Sequence, residues 1–203
     1  MYTALRSTSL TLAELLSQAL IADPILGTFF DSSTGGTMIV SLNSPRELSG
    51  NNQQGLSVWL YRVERDPERL NAPPERISYN QLRRHPLPLR LHYLVTPIVD
   101  LNQEDSPQTE QEILGKVLQV LNDHPTLRGA DLQSDFTGTN IELQVRLEPH
   151  NLEEISRLFD ALKRSFQLAV SYEVSVVLIE SALQPLDVTP VEEVIPEYGV
   201  IVS

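Results

Sequence analysis

The chain of 203 residues contains no cysteine. That absence removes disulfides, thiol nucleophiles and every cysteine-ligated metal site at once. Bases are scarce: fifteen Lys and Arg stand against twenty-seven Asp and Glu, for a net charge of −12. A phosphate backbone would repel such a chain unless its bases gathered on one face. No apolar run approaches the roughly 18 residues that a membrane-spanning helix needs. Arg6 is followed by Ser7, Thr8 and Ser9 rather than by the apolar stretch of a signal peptide. These absences predict a soluble intracellular protein with neither a nucleic-acid partner nor membrane insertion. What is present, 41% hydrophobic and 21% charged residues, is ordinary globular composition for one domain or at most two.

The apolar pattern sets out the elements. Residues 9–21 predict an amphipathic helix, because Leu12, Leu15, Leu16, Ala19 and Leu20 recur at three- and four-residue steps, with Thr11 and Glu14 as a capping pair. Asp23 before Pro24 ends it. Residues 28–36 read as turns, 37–42 as a short strand, and the Asn-, Ser- and Gln-rich stretch 43–55 as a surface loop. Residues 56–64 predict a strand with Leu56, Val58 and Leu60 on one face and Trp59, Tyr61 and Val63 on the other, so both faces should be covered. A long Arg- and Pro-rich connection, 66–88, follows. Residues 89–99 predict the next strand, with Leu89, Leu91, Tyr93 and Val95 sharing a face and Pro97 marking an edge or bulge.

Residues 110–121 predict a helix on the stripe Ile113, Leu114, Val117, Leu118 and Leu121. Residues 139–147 give the cleanest alternation, with Ile141, Leu143, Val145 and Leu147 pointing inward. Asn151 and Glu154 cap a third helix that buries Leu152, Ile155, Leu158, Phe159 and Leu162. Residues 169–179 predict the last and longest strand, with Val170, Tyr172, Val174, Val176 and Leu178 on one face. Pro185, Pro190 and Pro196 then forbid a helix and predict an extended arm. There are too few crossover units for a doubly wound sheet. The expected fold class is α+β: a mixed, largely antiparallel sheet with about three helices packed on it. It forms a single domain over 1–183 with an arm over 184–203.

Catalytic chemistry finds no support in the pattern. His85, His92, His124 and His150 lack the close helical spacing of a zinc site, and none has an acidic partner at a recognised interval. His92, in mid-strand, reads as a packed structural histidine. The glycines of Ser33-Thr34-Gly35-Gly36-Thr37 lack the lysine and spacing of a phosphate loop, so a turn is expected. Thr137-Gly138-Thr139 reads likewise as a connector. Glu153-Glu154 and Glu192-Glu193 are adjacent pairs whose side chains diverge, and the first suits a helix N-terminus. No enzyme, no cofactor and no metal is therefore expected.

Charge placement says more. From Arg62 to Arg90 there are seven arginines (62, 65, 69, 76, 83, 84 and 90) against four acids, a net +3, so the remainder carries −15. Two readings stand side by side: a solvated loop whose arginines pair locally, or a docking surface, since arginine forks onto carboxylates and is enriched in interfaces. The last twenty residues carry −4 and no base. They read either as a solvated terminus or as a donor strand presenting Val188, Val191, Val194, Ile195, Tyr198, Val200, Ile201 and Val202 to a neighbour's sheet. So many apolar residues favour the donor strand. Acidic arm and basic loop could also engage each other.

Four stretches carry a family likeness: the leucine-rich N-terminal helix; Val58-Trp59-Leu60-Tyr61-Arg62-Val63 leading into the Arg/Pro loop; Pro86-Leu87-Pro88-Leu89-Arg90-Leu91-His92-Tyr93-Leu94-Val95-Thr96-Pro97; and Glu112-Ile113-Leu114-Gly115 with Leu121-Asn122-Asp123-His124-Pro125, together with the closing strand at 171–181. They resemble the cap, or tail-terminator, proteins of extracellular contractile injection systems, the antifeeding-prophage and virulence-cassette type of phage-tail-like particle. The resemblance implies a structural, non-enzymatic subunit that forms a six-fold ring on the distal end of an inner tube and contacts the last sheath layer. It also implies cytoplasmic assembly followed by residence in the particle. The arginines would then lie at a ring or tube contact and the arm would engage sheath. The alternative is a small intracellular adaptor or peptide-binding domain without catalysis.

Overall fold

The computed structural model describes residues 2–69, 73–100 and 105–189. Its centre is a six-stranded sheet. Strand β1 is Ile39–Ser41, β2 is Gly55–Arg65, β5 is Leu87–Ile98, β6 is Thr126–Arg128, β7 is Glu142–Glu148 and β8 is Val170–Ile179. Their spatial order is β1-β2-β5-β8-β7-β6. Only β1 and β2 run parallel; every other neighbouring pair is antiparallel. A second, three-stranded sheet joins β3 (Arg76–Ser78), β4 (Gln81–Leu82) and β9 (Leu186–Asp187) in the order β3-β4-β9. The α+β reading and the mixed, mostly antiparallel sheet are thus found.

Helix α1 (Ala4–Ile21) starts earlier than its leucine stripe suggests. Thr11 is not a cap: it is buried in mid-helix, where its hydroxyl donates to the Ser7 carbonyl at 2.8 Å and accepts from the Gln133 N–H at 3.0 Å. Leu12, Leu16 and Leu20 face the sheet, and Ser9 Oγ meets the buried Tyr93 hydroxyl at 2.8 Å. Helix α4 (Ser106–Asp123) buries Ile113, Leu114, Val117 and Leu121. Ile113, Val117 and Leu121 share one core with α1 and with Leu56, Val58, Leu91, Tyr93 and Val95. The opposite face is covered by α5 (Leu152–Ala161), where Phe159, Leu94, Leu162 and Ala169 form a second cluster with Trp59 and Tyr61 packed on it. Both faces of β2 are therefore covered, as its two-sided composition requires.

The expected loop at 43–55 contains α3 (Pro45–Gly50), which begins with a Ser44/Glu47 capping box and a proline in the first turn. A short turn, α2 (Gly27–Phe30), precedes it. Gly55 is a necessary glycine: its φ is +136°, and an added Cβ would lie 1.9 Å from the Ile39 carbonyl oxygen. Only glycine lets β1 dock parallel to β2 there. Pro97 lies beyond the last β5–β8 pair, Val95 opposite Val170, where β5 has a neighbour on one side only.

Two bulges overturn parts of the alternation. The β2–β5 register shifts between Leu60 and Arg62, so Val63 sits opposite Leu91, on the same face as Leu60 rather than with Trp59 and Tyr61. The β5–β8 register shifts between Leu89 and Leu91, so Val174 pairs with Leu91 but Val177, not Val176, pairs with Leu89. Val177 is buried while Leu178 is 40% exposed. Two further corrections concern ends of elements. Leu147 is 55% exposed at the close of β7, and Leu152 is 68% exposed at the first turn of α5. Strand β8, at 10 residues, is shorter than β5, at 12.

Candidate functional site

The Arg/Pro connection between β2 and β5 is not a plain loop. It folds as a hairpin, and the root of the arm is its third strand. Leu82 lies opposite Leu186 and Gln81 opposite Asp187. The Val188 N–H donates to the Asn80 carbonyl at 2.7 Å, Gln81 Nε2 donates to Asp187 Oδ1 at 3.0 Å, and Arg84 Nε donates to the Gln184 carbonyl at 3.1 Å. Basic loop and arm do engage each other, at least over these residues. Val188 is thereby placed. Val191, Val194, Ile195, Tyr198, Val200, Ile201 and Val202 lie outside the described residues.

The seven arginines divide into two groups. Arg76, Arg83 and Arg84 ride on the hairpin or its exit; Arg83 pairs with Glu75 at 3.2 Å, and both side chains are exposed. Arg65 ends β2, and Arg69 stands 3.6 Å from Asp66. Arg65, Arg76 and Arg84 make no ion pair with another described residue. Arg62 and Arg90 belong instead to the α5 face of the large sheet. Arg62 pairs with Glu64. Arg90 is held by the buried Asp66 at 3.0 Å, by Glu68 at 3.1 Å and by Glu173 at 3.6 Å, which leaves it 21% exposed and engaged within its own chain.

Beside Arg62 and Glu64, sequence reasoning missed a polar network. The β2 bulge puts Tyr61 and Arg62 on one side of the sheet, next to His92. Glu148 Oε2 is the hub: the Ser171 hydroxyl donates to it at 2.9 Å, His92 Nδ1 lies at 2.9 Å and His150 Nε2 at 3.3 Å. The Tyr61 hydroxyl joins His150 Nε2 at 2.9 Å and Ser171 Oγ at 3.1 Å. Glu154 meets His150 Nδ1 at 3.0 Å, and Glu64 lies 3.3 Å from His92 Nε2. His92 is thus a satisfied structural histidine on its Nδ1 side. The expectation that no histidine has an acidic partner at a recognised interval is corrected by His150 and Glu154, four apart at the entry to α5. That spacing was the available signal.

Burial pushes the Glu148 carboxyl up, but hydrogen bonds from His92 and Ser171 and the charges of the two histidines outweigh it and hold the group below the usual carboxylate range. Arg62 holds Glu64 low as well. The arrangement clamps the α5 entry onto the sheet. The Ser171 hydroxyl is buried within it, bonded to Glu148 and Tyr61. A depressed Glu148 adds stability above its unfolded value near pH 4.3 and loses it as pH falls through the lower folded value. Glu148→Gln is expected to cost about 1.5 kcal/mol at pH 7. It should also flatten the fall in urea midpoint between about pH 5 and pH 3 relative to the unaltered protein; parallel curves would remove Glu148 from the acid response.

Among the described residues no group of three or more His, Asp and Glu side chains could hold a metal ion. No helix there is long and apolar enough to cross a membrane.

The fold is one found in caps of contractile injection systems. It is similar to the sheath/tube terminator of an extracellular contractile injection system, PVC, solved by cryo-EM in the extended state. The likeness covers 96% of this chain at TM-score 0.57 and 15% identity. It is similar also to the tube-terminating cap of the anti-feeding prophage, over 78% of the chain at TM-score 0.51 and 17% identity. The chain spans 64% and 53% of the length of those two proteins. By sequence the chain belongs to the Pvc16 N-terminal domain family, whose model matches residues 7–193. Among curated proteins none matches.

Proposed function

We propose that this chain is a structural cap, a tail terminator that seats on the distal end of an inner tube and contacts the last sheath layer. The observation that carries the reading is the fold shared with a sheath/tube terminator over 96% of the chain, together with the family match across residues 7–193. The role needs a rigid body, a ring interface and an appendage. The two-cored sheet supplies the first, and the hairpin with its arm root supplies a protruding element separate from both cores. The subunit works by shape, without turnover and without nucleic acid. Copies form a closed six-fold ring, which requires a heterologous contact whose rotation closes. Assembly takes place in the cytoplasm before the particle is released.

In this reading Arg65, Arg69, Arg76, Arg83 and Arg84 face the ring or tube contact, where exposed arginines meet carboxylates of the partner. Arg90 contributes less, since it is 21% exposed and three carboxylates of its own chain hold it, and Arg62 lies on the α5 face of the large sheet. The arm from Val188 onward reaches the sheath. Electron microscopy of the purified protein mixed with inner tubes tests the reading: rings or density capping tube ends are expected. The double variant Arg83→Glu, Arg84→Glu should lower the capped fraction at least tenfold, about 1.4 kcal/mol of contact energy. Bare tube ends with the unaltered protein would refute the cap; unchanged capping by the variant would remove the hairpin from the contact.

A further inference from the structure

Exposed apolar side chains gather around the hairpin. Ile77, Tyr79, Leu87, Leu178, Leu183 and Leu186 are all large apolar side chains exposed to solvent. Between the hairpin and the large sheet runs a cleft of about 620 Å³, floored by Phe136, Ile141 and Leu178 and flanked by Ile77 and Leu183. A second depression over the same Phe136, Ile141 and Leu178 continues it towards Arg69. Contiguous apolar surface of this kind marks an interaction site.

The chain itself supplies a matching occupant. The arm root already lines the cleft with Leu183 and Pro185, then pairs with β4 and reaches the hairpin turn at Val188. Beyond it, residues 190–203 carry Val191, Val194, Ile195, Tyr198, Val200, Ile201 and Val202 with Glu192, Glu193, Glu197 and no base. At about 3.3 Å per residue this stretch extends to roughly 45 Å, ample for a reversal at Pro190 and a return along the hairpin. The charges match as well. Residues 76–84 hold Arg76, Arg83 and Arg84 and no acid. The cleft rim sets Arg83 and Arg84 against Glu75 and Glu180, so apolar burial dominates inside the cleft and arginine pairing acts beside it.

We propose that in the unassembled subunit the arm folds back on its own chain, with residues 191–202 covering the cleft at Ile77, Ile141 and Leu178 beside the arginine hairpin. Tethering favours this internal occupant, because a short linker holds it at an effective concentration of about millimolar. On the capping reading, the arm is kept from premature pairing and is released when sheath competes for it.

Hydrogen exchange on the 203-residue chain, alone and dilute, tests the contact. Amides of residues 191–202 should exchange at least tenfold more slowly than in a free peptide of the same sequence. Ile77→Asp and Leu178→Asp, both at side chains already about 40% exposed, should each abolish that protection while leaving the β5 amides protected. As a second readout, Leu178→Cys with Val194→Cys, in a chain that has no cysteine of its own, should form an intrachain disulfide. Leu152→Cys with Val194→Cys should not. Unprotected arm amides, protection that survives both aspartates, or a disulfide only between copies would each overturn the proposal. No tube or sheath enters these measurements, so a loose arm leaves the capping reading standing, and a failed capping assay leaves the folded-back arm standing.

Discussion

Replacing Arg90 with methionine should destabilise the subunit by about 3 kcal/mol, the low end of the cost of stripping one partner from a buried ion pair. The buried Asp66 receives Arg90 through Nε at 3.1 Å and Nη2 at 3.0 Å, and the Glu68 N–H at 3.1 Å. Without the guanidinium, a carboxylate with almost no water access keeps the Glu68 N–H and one cation, Arg69, at 3.6 Å and half exposed. The loss is held to the low end because Arg90 is itself one-fifth exposed. Asp66→Asn should cost less, about 1–2 kcal/mol, since Arg90 keeps Glu68 and Glu173. The readout is the urea midpoint at unchanged slope. An Arg90→Met midpoint within error of the unaltered protein would show that the pair contributes nothing. Because this cluster anchors the base of the hairpin, the variant should also loosen the segment that carries Arg76, Arg83 and Arg84.

Deleting residues 185–203 should have the largest effect on assembly and little on folding. The arm root contributes two paired residues in β9 and a few exposed hydrogen bonds, while both hydrophobic cores end by Ile179. The truncated subunit is expected to cap tubes at close to the normal fraction and yet retain almost no sheath, measured as sheathed particles per capped tube. Normal sheath retention would refute the arm's assignment. If the arm also covers its own cleft, the truncated subunit should expose the surface around Ile77 and Leu178 and aggregate more readily.

Much of this architecture could be read from residue patterns, and the exceptions have physical causes. The alternation of Leu143 and Val145, the stripe of α4 and the Asn151/Glu154 cap are local signals, and they appear where the pattern puts them. The two faces of β2 were legible because both are apolar. The bulges at Tyr61 and opposite Arg90 were not, since a bulge changes which neighbour a residue meets without changing the residue string. They turn Val63 and Leu178 away from their expected places and bring Arg62 and Glu64 beside His92. The pairing of Leu186 with Leu82 was invisible for a different reason. It joins segments about a hundred residues apart through backbone groups, which carry no residue signature. His150 and Glu154 could have been noticed from their spacing; Ser171 and Tyr61, brought in by the sheet, could not.

Both flanks of the six-stranded sheet finish in strands of three residues, Ile39–Ser41 and Thr126–Arg128. Past Ser57 no described strand lies on the outer rim of β2, and that rim bears Arg62, Glu64 and Arg65 together with a kink. Short borders, mixed charge and a broken register are what keep sheets from joining edge to edge. Surplus copies of this chain therefore meet only short or kinked borders at the two flanks of this sheet. On the capping reading proposed above, a piece that finishes a filament would carry borders that do not start another.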